Sequence, residues 1–308
     1  MSGLELQQRD GHGGGYASSG YCASLAFLGE LHPVPAWGTP VIMRKVPGSS
    51  EIDATGPYPL CTLRKEADIA GGLAQLRSEG AVSVVFVDDP IGGTPQERLV
   101  DAFEVCRNFK THYVMDRALG SEVLSKHHRD RIRRGERRAH ARCVDLRDPI
   151  WRQHWIQLYD ELVRKKGITG LQAFCTDAFD RLCALSGSML IAIAAESEAG
   201  EVLAMQLWIC DGVRAYSHLT ATSEAGYKAG ATYVIYAAAI RFLKDFRILD
   251  FGGGAGHIDD PDDSLASFKR GFANDTRMAV LCGTILAPKL YSDLCGERVS
   301  AFFPAYRA

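Results

Sequence analysis

The sequence predicts an α/β protein with a mixed sheet, and three observations carry that prediction. In the first half, β-branched runs such as AVSVVFVDDP at 81–90 alternate with amphipathic stretches such as ADIAGGLAQLRSEG at 67–80. In the second half, two helical stretches are followed by three strand-like runs in succession. Asp211-Gly212 separates the second and third of these runs and is a two-residue hairpin signal.

Composition excludes several classes of protein. The 308 residues are 46% hydrophobic and 23% charged, as in an ordinary globular chain of about two domains. The formal net charge of −2 gives no global field toward nucleic acid or membrane, so any polyanion site must be local. The nine cysteines form no C-x-x-C pair, which argues against zinc ribbons and favours reduced thiols. No apolar run approaches ~18 residues, so we expect a soluble, cytoplasmic protein without a membrane span.

The first half is expected to begin after an N-terminal arm. Residues 1–20 are rich in Gly and Ser and predict a mobile arm. In the segment 21–145, which we expect to form the first half, turn residues separate the expected helices and strands. We expect strands at 39–46, 81–90 and 110–117 and helices at 67–80, 94–106 and 121–141. The boundary to the second half, 146–308, is expected near RCVDLRDP.

The second half has clearer signals. Pro149 opens a long helix that Gly167 closes, and Thr176 caps the next one. The expected helices are 149–167, 176–187, 231–246, 263–272 and 287–296. The expected strands are 189–196, 201–210, 213–222, 247–253 and 276–286. This order predicts helices packed on a sheet that is antiparallel first and then splits.

Four stretches carry a resemblance to a known family. They are SKHHRDRIRRGER (125–137), AYSHLTATSEAGYKAGATYVIYAAAIRF (215–242), RILDFGGG (247–254) and SFKRGF (267–272). In this order they resemble the Fem-type branch of the GNAT superfamily, which includes peptidoglycan Fem aminoacyltransferases and CelD/BioF-like acetyltransferases. The resemblance implies a tandem GNAT-like fold with a degenerate first half and a complete second half. It also implies transfer of an acyl or aminoacyl group onto an amine.

The stretch 226–231 is where the resemblance implies that donor phosphates bind, because exposed N–H groups at a helix start favour anions. The implied contacts to an acyl-CoA donor such as acetyl-CoA are Tyr227, Lys228, Gly230 and Ala231. The stretch departs from the superfamily's R/Q-x-x-G-x-G/A loop, and a plain helix start is the alternative. In the same resemblance, Gly252 and Gly253 form a turn where the sheet splays and the acyl arm can pass.

Lys269 in SFKRGF is the first candidate for catalysis. The resemblance implies that it points at the reacting carbonyl, where a compact ammonium can stabilise a developing oxyanion. Arg270 beside it is a candidate substrate contact, and a solvated surface lysine is the alternative reading of Lys269. Residues 263–272 contain no tyrosine to protonate a leaving thiolate. That absence favours an ester donor such as aminoacyl-tRNA, or a leaving group that needs no protein acid.

The strand 213–222 offers a second group of candidates. By the period of two, Tyr216, His218 and Thr220 share one face, which could line the acceptor cleft. His218 is then a base or a substrate contact, and Tyr216 a substrate contact. A hydrogen-bonded core histidine is the alternative.

A basic helix is expected within 126–142. This stretch contains eight Lys and Arg residues and two acidic residues, a local net charge of 8 − 2 = +6. The imbalance favours contact with phosphates of a nucleotide, a tRNA acceptor stem or coenzyme A. The candidate contacts are Arg129, Arg133 and Arg134, with Asp130 able to pair with Arg134 at i, i+4. A solvated charged helix is the alternative. His127 and His128 are adjacent and point apart, so they make a poor metal pair.

Two other motifs are weaker. ILDFGGGAG resembles the first motif of methyltransferases that use S-adenosylmethionine, but only 52 residues follow Gly256, too few for the βα units of that fold. The Asp cluster within 259–263 lacks the calcium-loop spacing. No metal is therefore expected. Three functions stay open: acyl transfer from acyl-CoA to a small-molecule or peptide amine, aminoacyl-tRNA-dependent amide formation with tRNA as a partner, and a non-catalytic binding module.

Overall fold

The computed structural model describes residues 14–120, 124–168, 174–256, 260, 262–298 and 300–308, which fall into two mixed α/β units. The larger unit comprises 14–15 and Thr111–Arg277. The smaller unit comprises Tyr16–Lys110 and Met278–Ala308. The division into 21–145 and 146–308 concerns the two expected GNAT-like halves and stays a prediction.

The elements follow one another as helices and strands of ordinary length. Up to residue 120 they are α1 (Ser19–Ala23), β1 (Glu30–Val34), β2 (Thr39–Lys45), β3 (Ile52–Thr55), α2 (Ile69–Ser78), β4 (Ala81–Val87), α3 (Gln96–Ala102) and β5 (Val105–Asp116). Then come α4 (Lys126–Gly135), β6 (His140–Val144), α5 (Pro149–Lys166), α6 (Thr176–Cys183), β7 (Leu190–Glu196), β8 (Val202–Cys210) and β9 (Arg214–Thr222). The last are α7 (Glu224–Ala229), α8 (Ala231–Phe242), β10 (Ile248–Asp250), α9 (Ser264–Arg270), β11 (Asp275–Ile285) and α10 (Pro288–Cys295).

The smaller unit is built on the strand order β1-β2-β3-β4-β11. Only the pairing of β3 with β4 is parallel among these strands. Helix α2 packs on β4 and buries Leu73 and Leu76. Gly72 lets the fully buried Trp37 approach α2, since a Cβ at Gly72 would lie 2.0 Å from the indole nitrogen.

The larger unit has the strand order β5-β10-β9-β8-β7-β6. Strands β6 to β9 are antiparallel neighbours, whereas β10 runs parallel to β9 and antiparallel to β5. Helix α8 is apolar on nearly all sides and is buried from Val234 to Ile240, packed on β6, β7 and β8. Helix α5 packs on β8 and β9.

Strand β10 is much shorter than β9, which opens the sheet between them. Their register covers three residues and ends where Asp250 pairs with Tyr216, while β9 continues to Thr222. Beyond this point β9 also carries a bulge, since Leu207 pairs with Leu219 but Trp208 pairs with Ser217. The expected turn at the end of 247–253 therefore coincides with a gap between strands.

Helix α4 is shorter than the helix expected over 121–141. It begins at Lys126, capped by Ser125, and ends at Gly135. The segment from His140 onward is instead β6, the edge strand paired with β7. Residues 121–123 lie outside the described residues. Across the described ranges, none of the helices combines the length and the apolar character needed to cross a bilayer.

The N-terminal arm expected over 1–20 does not extend over residues 14–20. Gly15–Ala17 forms a 3₁₀ turn and α1 follows, capped by Ser18. Tyr16 is 1% exposed and packs edge-on against Tyr21, so the chain from Tyr16 onward belongs to the smaller unit and is packed into its interior. Residues 1–13 lie outside the described residues.

Candidate active site

The end of α4 meets the start of α8 in the larger unit. Gly135 closes α4, and a Cβ there would lie 2.6 Å from Cγ2 of Val234. Gly230 has φ +78°, a conformation that favours glycine, and it both ends α7 and begins α8. Two glycines therefore allow the close approach of a basic helix to the N-terminus of another helix.

A cavity of about 190 Å³ lies at this meeting point. Its basic lining residues are Arg131, Arg134, Arg137, Arg138 and Lys228. The remaining lining residues are Gly135, Ala229 and Gly230. The N-terminus of the twelve-residue helix α8 adds the positive end of its dipole. The arrangement is suited to a phosphate-bearing ligand, and we call it the anion pocket.

The anion pocket joins two segments that the sequence analysis singled out separately. Of the four residues expected to contact donor phosphates, Lys228 and Gly230 line it, and Ala231 is the first residue of α8. Tyr227 lies next to it in the chain, half-exposed, with Nζ of Lys165 5.4 Å from its ring centroid. Lys228 also forms an exposed ion pair of 2.6 Å with Glu224.

The arginines of α4 divide into two groups. Arg134 lines the anion pocket, whereas Arg133 pairs with Asp130, with 3.6 Å between Nη1 and Oδ1. The expected pairing of Asp130 with Arg134 is thus replaced by the i, i+3 pair. Arg129 donates instead to the carbonyl of Leu124.

Three further arginines line the pocket, namely Arg131, Arg137 and Arg138. The sequence showed them only as part of the basic stretch, because Arg137 and Arg138 lie in the turn after α4 rather than on its helical face. Arg138 donates to the carbonyl of Lys228 at 3.3 Å and so joins the two sides of the pocket. Arg142 is not part of it, because it pairs with Glu196 at 2.6 Å.

Lys269 lies at the turn that follows β10. Its Nζ donates to the carbonyl oxygen of Gly253 at 2.7 Å. Gly252 has φ +77°, and a Cβ there would lie 3.2 Å from Nζ, so glycine makes room for the ammonium. Gly252, Gly253 and Lys269 therefore lie together, and the ammonium of Lys269 is held where β9 and β10 separate.

A histidine–carboxylate pair lies beside this turn. Nδ1 of His112 on β5 is 2.8 Å from Oδ2 of Asp250, the last residue of β10. The other oxygen of Asp250 accepts the N–H of Gly252 at 2.7 Å. Both side chains are buried, His112 being 9% and Asp250 2% exposed. The two residues are 138 positions apart, so no local sequence pattern indicates the pair.

Tyr216 and Asp250 occupy one face of the sheet. They are register partners, as are Asp250 and Val114 across the next strand. Paired residues share a face, and alternate residues along a strand do too. Ala215 and Leu249 belong to the cluster with α8 on the other face. The face of Tyr216 therefore also carries His112.

His218 lies at the bulge of β9, with its ring edge-on to Phe174 at 5.6 Å between centroids. Phe174 stacks on Phe179, which contacts Trp155 and Tyr159 of α5. Burial lowers the pKa of His218 to about 3, so the imidazole is neutral and weakly basic at neutral pH.

Thr220 does not share this face, in contrast to the expected period of two. Its register partner is Gln206, which bonds to Ser217, and both Ser217 and Thr220 reach the hydroxyl of Tyr236 on α8. The extra residue in the bulge reverses the alternation between Ser217 and Thr220.

Arg270 lines a different recess from the anion pocket. This cavity, of about 450 Å³, is lined by Tyr113, Arg270 and residues 273–276. Nη2 of Arg270 donates to the hydroxyl of Tyr113 at 3.3 Å, and its guanidinium lies 5.6 Å from that ring centroid. Of the Asp cluster, Asp259 lies outside the described residues, and Asp263 caps α9 by accepting from Ala266.

Part of the larger unit is similar to a known family of domains. Residues 125–269 match the family model described as an acetyltransferase (GNAT) domain. The match begins at the cap of α4 and ends at Lys269, so it includes the anion pocket, the strand gap and the lysine. No match was found among curated protein sequences.

Solved structures of similar fold cover most of the chain. The C-terminal domain of a putative lysylphosphatidylglycerol synthetase from Agrobacterium fabrum has a TM-score of 0.62 at 13% identity, over 89% of this chain and 91% of that one. L-PGS from Bacillus licheniformis has a TM-score of 0.60 at 14% identity, over 88% and 93%. FemX has a TM-score of 0.58 at 12% identity, over 82% and 85%. At these identities the likeness is one of fold, which the chain shares with FemX and L-PGS, and residues 125–269 are similar to a GNAT acetyltransferase domain.

Proposed function

We propose that the protein transfers an acyl group from acyl-CoA to the amine of a small molecule or peptide. The observation that carries this proposal is the anion pocket, where five basic side chains surround the N-terminus of α8. Coenzyme A carries a diphosphate and a further phosphate, and helix N–H groups and guanidinium forks both bind such groups. The pocket supports a donor held by its phosphates.

The gap between β9 and β10 supports a path for the acyl arm. Strand β9 continues from Ser217 to Thr222 beyond its pairing with β10. This part of β9 has an edge that β10 does not cover, beside the turn of Gly252 and Gly253. Lys269 stands at that turn. An ammonium held beside the scissile carbonyl stabilises the oxyanion that forms when an amine attacks it. Tyr216 and His218 then face the acceptor, and Arg270 remains a candidate contact to its more distant groups.

The second candidate is transfer of an aminoacyl group from tRNA. The exposed arginines around the anion pocket favour it, because a tRNA acceptor stem presents a row of phosphates. The Fem-type resemblance and the folds shared with FemX and L-PGS support the same reading. The donor in this case is an ester, which agrees with a helix α9 that carries no tyrosine. The nine cysteines are free thiols, which supports a reducing compartment, and we propose the cytoplasm.

Calorimetry with acetyl-CoA and, in parallel, with a mixture of charged tRNAs tests the donor. Arg134→Gln removes a charge from the anion pocket, and Arg133→Gln removes one from the neighbouring residue that pairs with Asp130. A charge-assisted hydrogen bond contributes about 1.5–3 kcal/mol, so Arg134→Gln is expected to weaken acetyl-CoA binding about tenfold or more. Arg133→Gln is the matched control and should bind as the wild type does.

The outcomes separate the candidates. Binding of acetyl-CoA that depends on Arg134 supports acyl-CoA as donor. Binding of tRNA alone, with a steep salt dependence, overturns that donor and supports the aminoacyl-tRNA candidate. If both donors bind and the wild type transfers neither group to any primary amine, the non-catalytic module replaces both.

A further inference from the structure

The His112–Asp250 pair has the geometry of an oriented base, and the proposed function leaves it unused. A carboxylate only accepts hydrogen bonds, so Nδ1 of His112 donates across the 2.8 Å to Oδ2 of Asp250. In the neutral ring this places the lone pair on Nε2. Oδ1 of Asp250 accepts the N–H of Gly252, and this second hydrogen bond restricts rotation of the carboxylate away from His112.

The pair lies among the residues assigned to acyl transfer. Gly252, which binds Asp250, precedes Gly253, whose carbonyl binds Lys269. Strand β5 remains hydrogen-bonded to the chain that follows β10. The backbone N–H of Tyr113 donates to the carbonyl of Gly252, and the backbone carbonyl of Tyr113 accepts from the N–H of Phe251. His112, adjacent to Tyr113, is thus fixed at the turn where the strands separate. It shares its sheet face with Tyr216, the expected acceptor contact.

We propose that His112 is the general base that takes the proton from the acceptor amine, and that Asp250 positions its ring. This rests on the proposed acyl transfer. The amine nitrogen attacks the donor carbonyl, and a C–N bond forms while the bond from carbon to the leaving sulfur or oxygen breaks. Nε2 of His112 holds the proton that the nitrogen loses. That proton passes to the leaving thiolate or alkoxide, so the products are an amide and a neutral thiol or alcohol.

Other histidines of the larger unit are less suited to this role. His128 is bonded to Ser125 through Nδ1 and to the carbonyl of Phe268 through Nε2, so both its nitrogens are engaged. Burial lowers the pKa of His218 to about 3, which makes it too weak a base to hold a proton at neutral pH. His140 is exposed on the edge strand β6, 3.9 Å from Glu196.

The kinetic test compares the wild type with His112→Ala and with His140→Ala as the matched control. The rate of thiol release from acetyl-CoA is followed with a panel of primary amines, and the rate of tRNA release from charged tRNA is followed in parallel. We expect His112→Ala to lower kcat by about 10²–10⁴-fold with donor affinity unchanged in calorimetry, since a general base acts in the chemical step. Added imidazole should restore part of the rate in His112→Ala and none in His140→Ala.

A second measurement needs no variant at His112. Nitrogen-15 NMR of labelled histidine reports which ring nitrogen carries the proton. The wild type should show the Nδ1–H tautomer for His112, and Asp250→Asn should shift the ring toward a mixture while lowering kcat. This readout distinguishes a positioning residue from one that only stabilises the fold.

The possible failures are distinguishable. If the wild type binds neither donor and transfers no acyl group, the proposed function fails and the base fails with it. If the wild type transfers and His112→Ala transfers at the same rate, or gains nothing from imidazole, only the base is overturned. An Nε2–H tautomer in the wild type overturns the dyad whatever the activity.

Discussion

Gly135 and Gly230 approach each other so closely that a Cβ on Gly135 would lie 2.9 Å from the carbonyl oxygen of Gly230. The two residues end α4 and begin α8. Their approach places the arginines on both sides of Gly135 beside Gly230, the residue that immediately precedes α8. The geometry of the anion pocket therefore depends on two positions without side chains.

Gly135→Ala should both destabilise the protein and weaken donor binding. The new methyl group meets backbone at Gly230 and Cγ2 of Val234, so the helices must separate. Overpacking of this kind costs about 1–3 kcal/mol, which exceeds the gain of up to ~1 kcal/mol from replacing a helical glycine by alanine. Urea unfolding and acetyl-CoA calorimetry measure the two effects.

Gly167→Ala is the control for that substitution. Gly167 has φ +60° and nothing within 4 Å of its Cβ position, so alanine there strains the backbone without a clash. It should lose about 1 kcal/mol of stability and retain full donor affinity. Unchanged donor affinity in Gly135→Ala would contradict the role assigned to the close approach.

Lys269→Met keeps the aliphatic stem and removes the ammonium that bonds to Gly253. We expect kcat to fall by about 10²–10³-fold, the usual cost of losing one oxyanion donor, with a smaller change in KM. Lys244→Met is a control on the exposed turn after α8. The test is steady-state kinetics with whichever of acetyl-CoA and charged tRNA is the better donor. A fall in kcat no larger than that of Lys244→Met would show that Lys269 has no role in catalysis.

His218 should make the free energy of unfolding depend on pH under acidic conditions. Its native pKa of about 3 lies below the ordinary value of 6.5, so between these pH values the unfolded chain binds a proton that the native chain does not. Stability is therefore lost as pH falls from 6.5 toward 3. His218→Gln should reduce the slope by up to about 1.4 kcal/mol per pH unit. Urea midpoints measured against pH test this, and parallel curves for the two proteins would contradict it.

Asp88 in the smaller unit should act in the opposite direction. Burial, reinforced by Asp89, raises the pKa of Asp88 from 3.8 to about 8. Between these values the native chain holds a proton that the unfolded chain has released, so stability falls as pH rises. Asp88→Asn keeps the shape and removes the titration. The variant should become the more stable protein as pH approaches 8, by urea unfolding, and an advantage that does not grow with pH would refute this.

The strands of the second half were predictable because their signals were local. Strands β7, β8 and β9 begin within one residue of the expected positions. Strand β7 is fully buried and β8 is buried except for its first residue, and the Asp211-Gly212 turn fits a hairpin because Gly212 takes φ +90°. In contrast, β1 contains Pro33 and β3 spans four residues, so neither gives a readable period.

The separate parts of the candidate site carry recognisable sequence signals, whereas the way they come together does not. The basic stretch and the glycine turn were both recognisable, yet which arginines face the pocket depends on the end of α4 at Gly135. His112 and Asp250 come from strands whose pairing no local pattern predicts. The bulge at His218 reversed the face of Thr220, because a single extra residue shifts the alternation.

The anion pocket takes its walls from residues 90 positions apart in the chain, Arg138 and Lys228. A ligand that bridges them acts as a non-covalent cross-link, and its binding energy adds to the cohesion of α4 with α8. At a donor concentration one hundred times the Kd, this linkage amounts to about 2.7 kcal/mol. Under the proposed function, the donor is then a structural component of the larger unit as well as a reactant, and its phosphates offset the charge repulsion among the pocket's arginines.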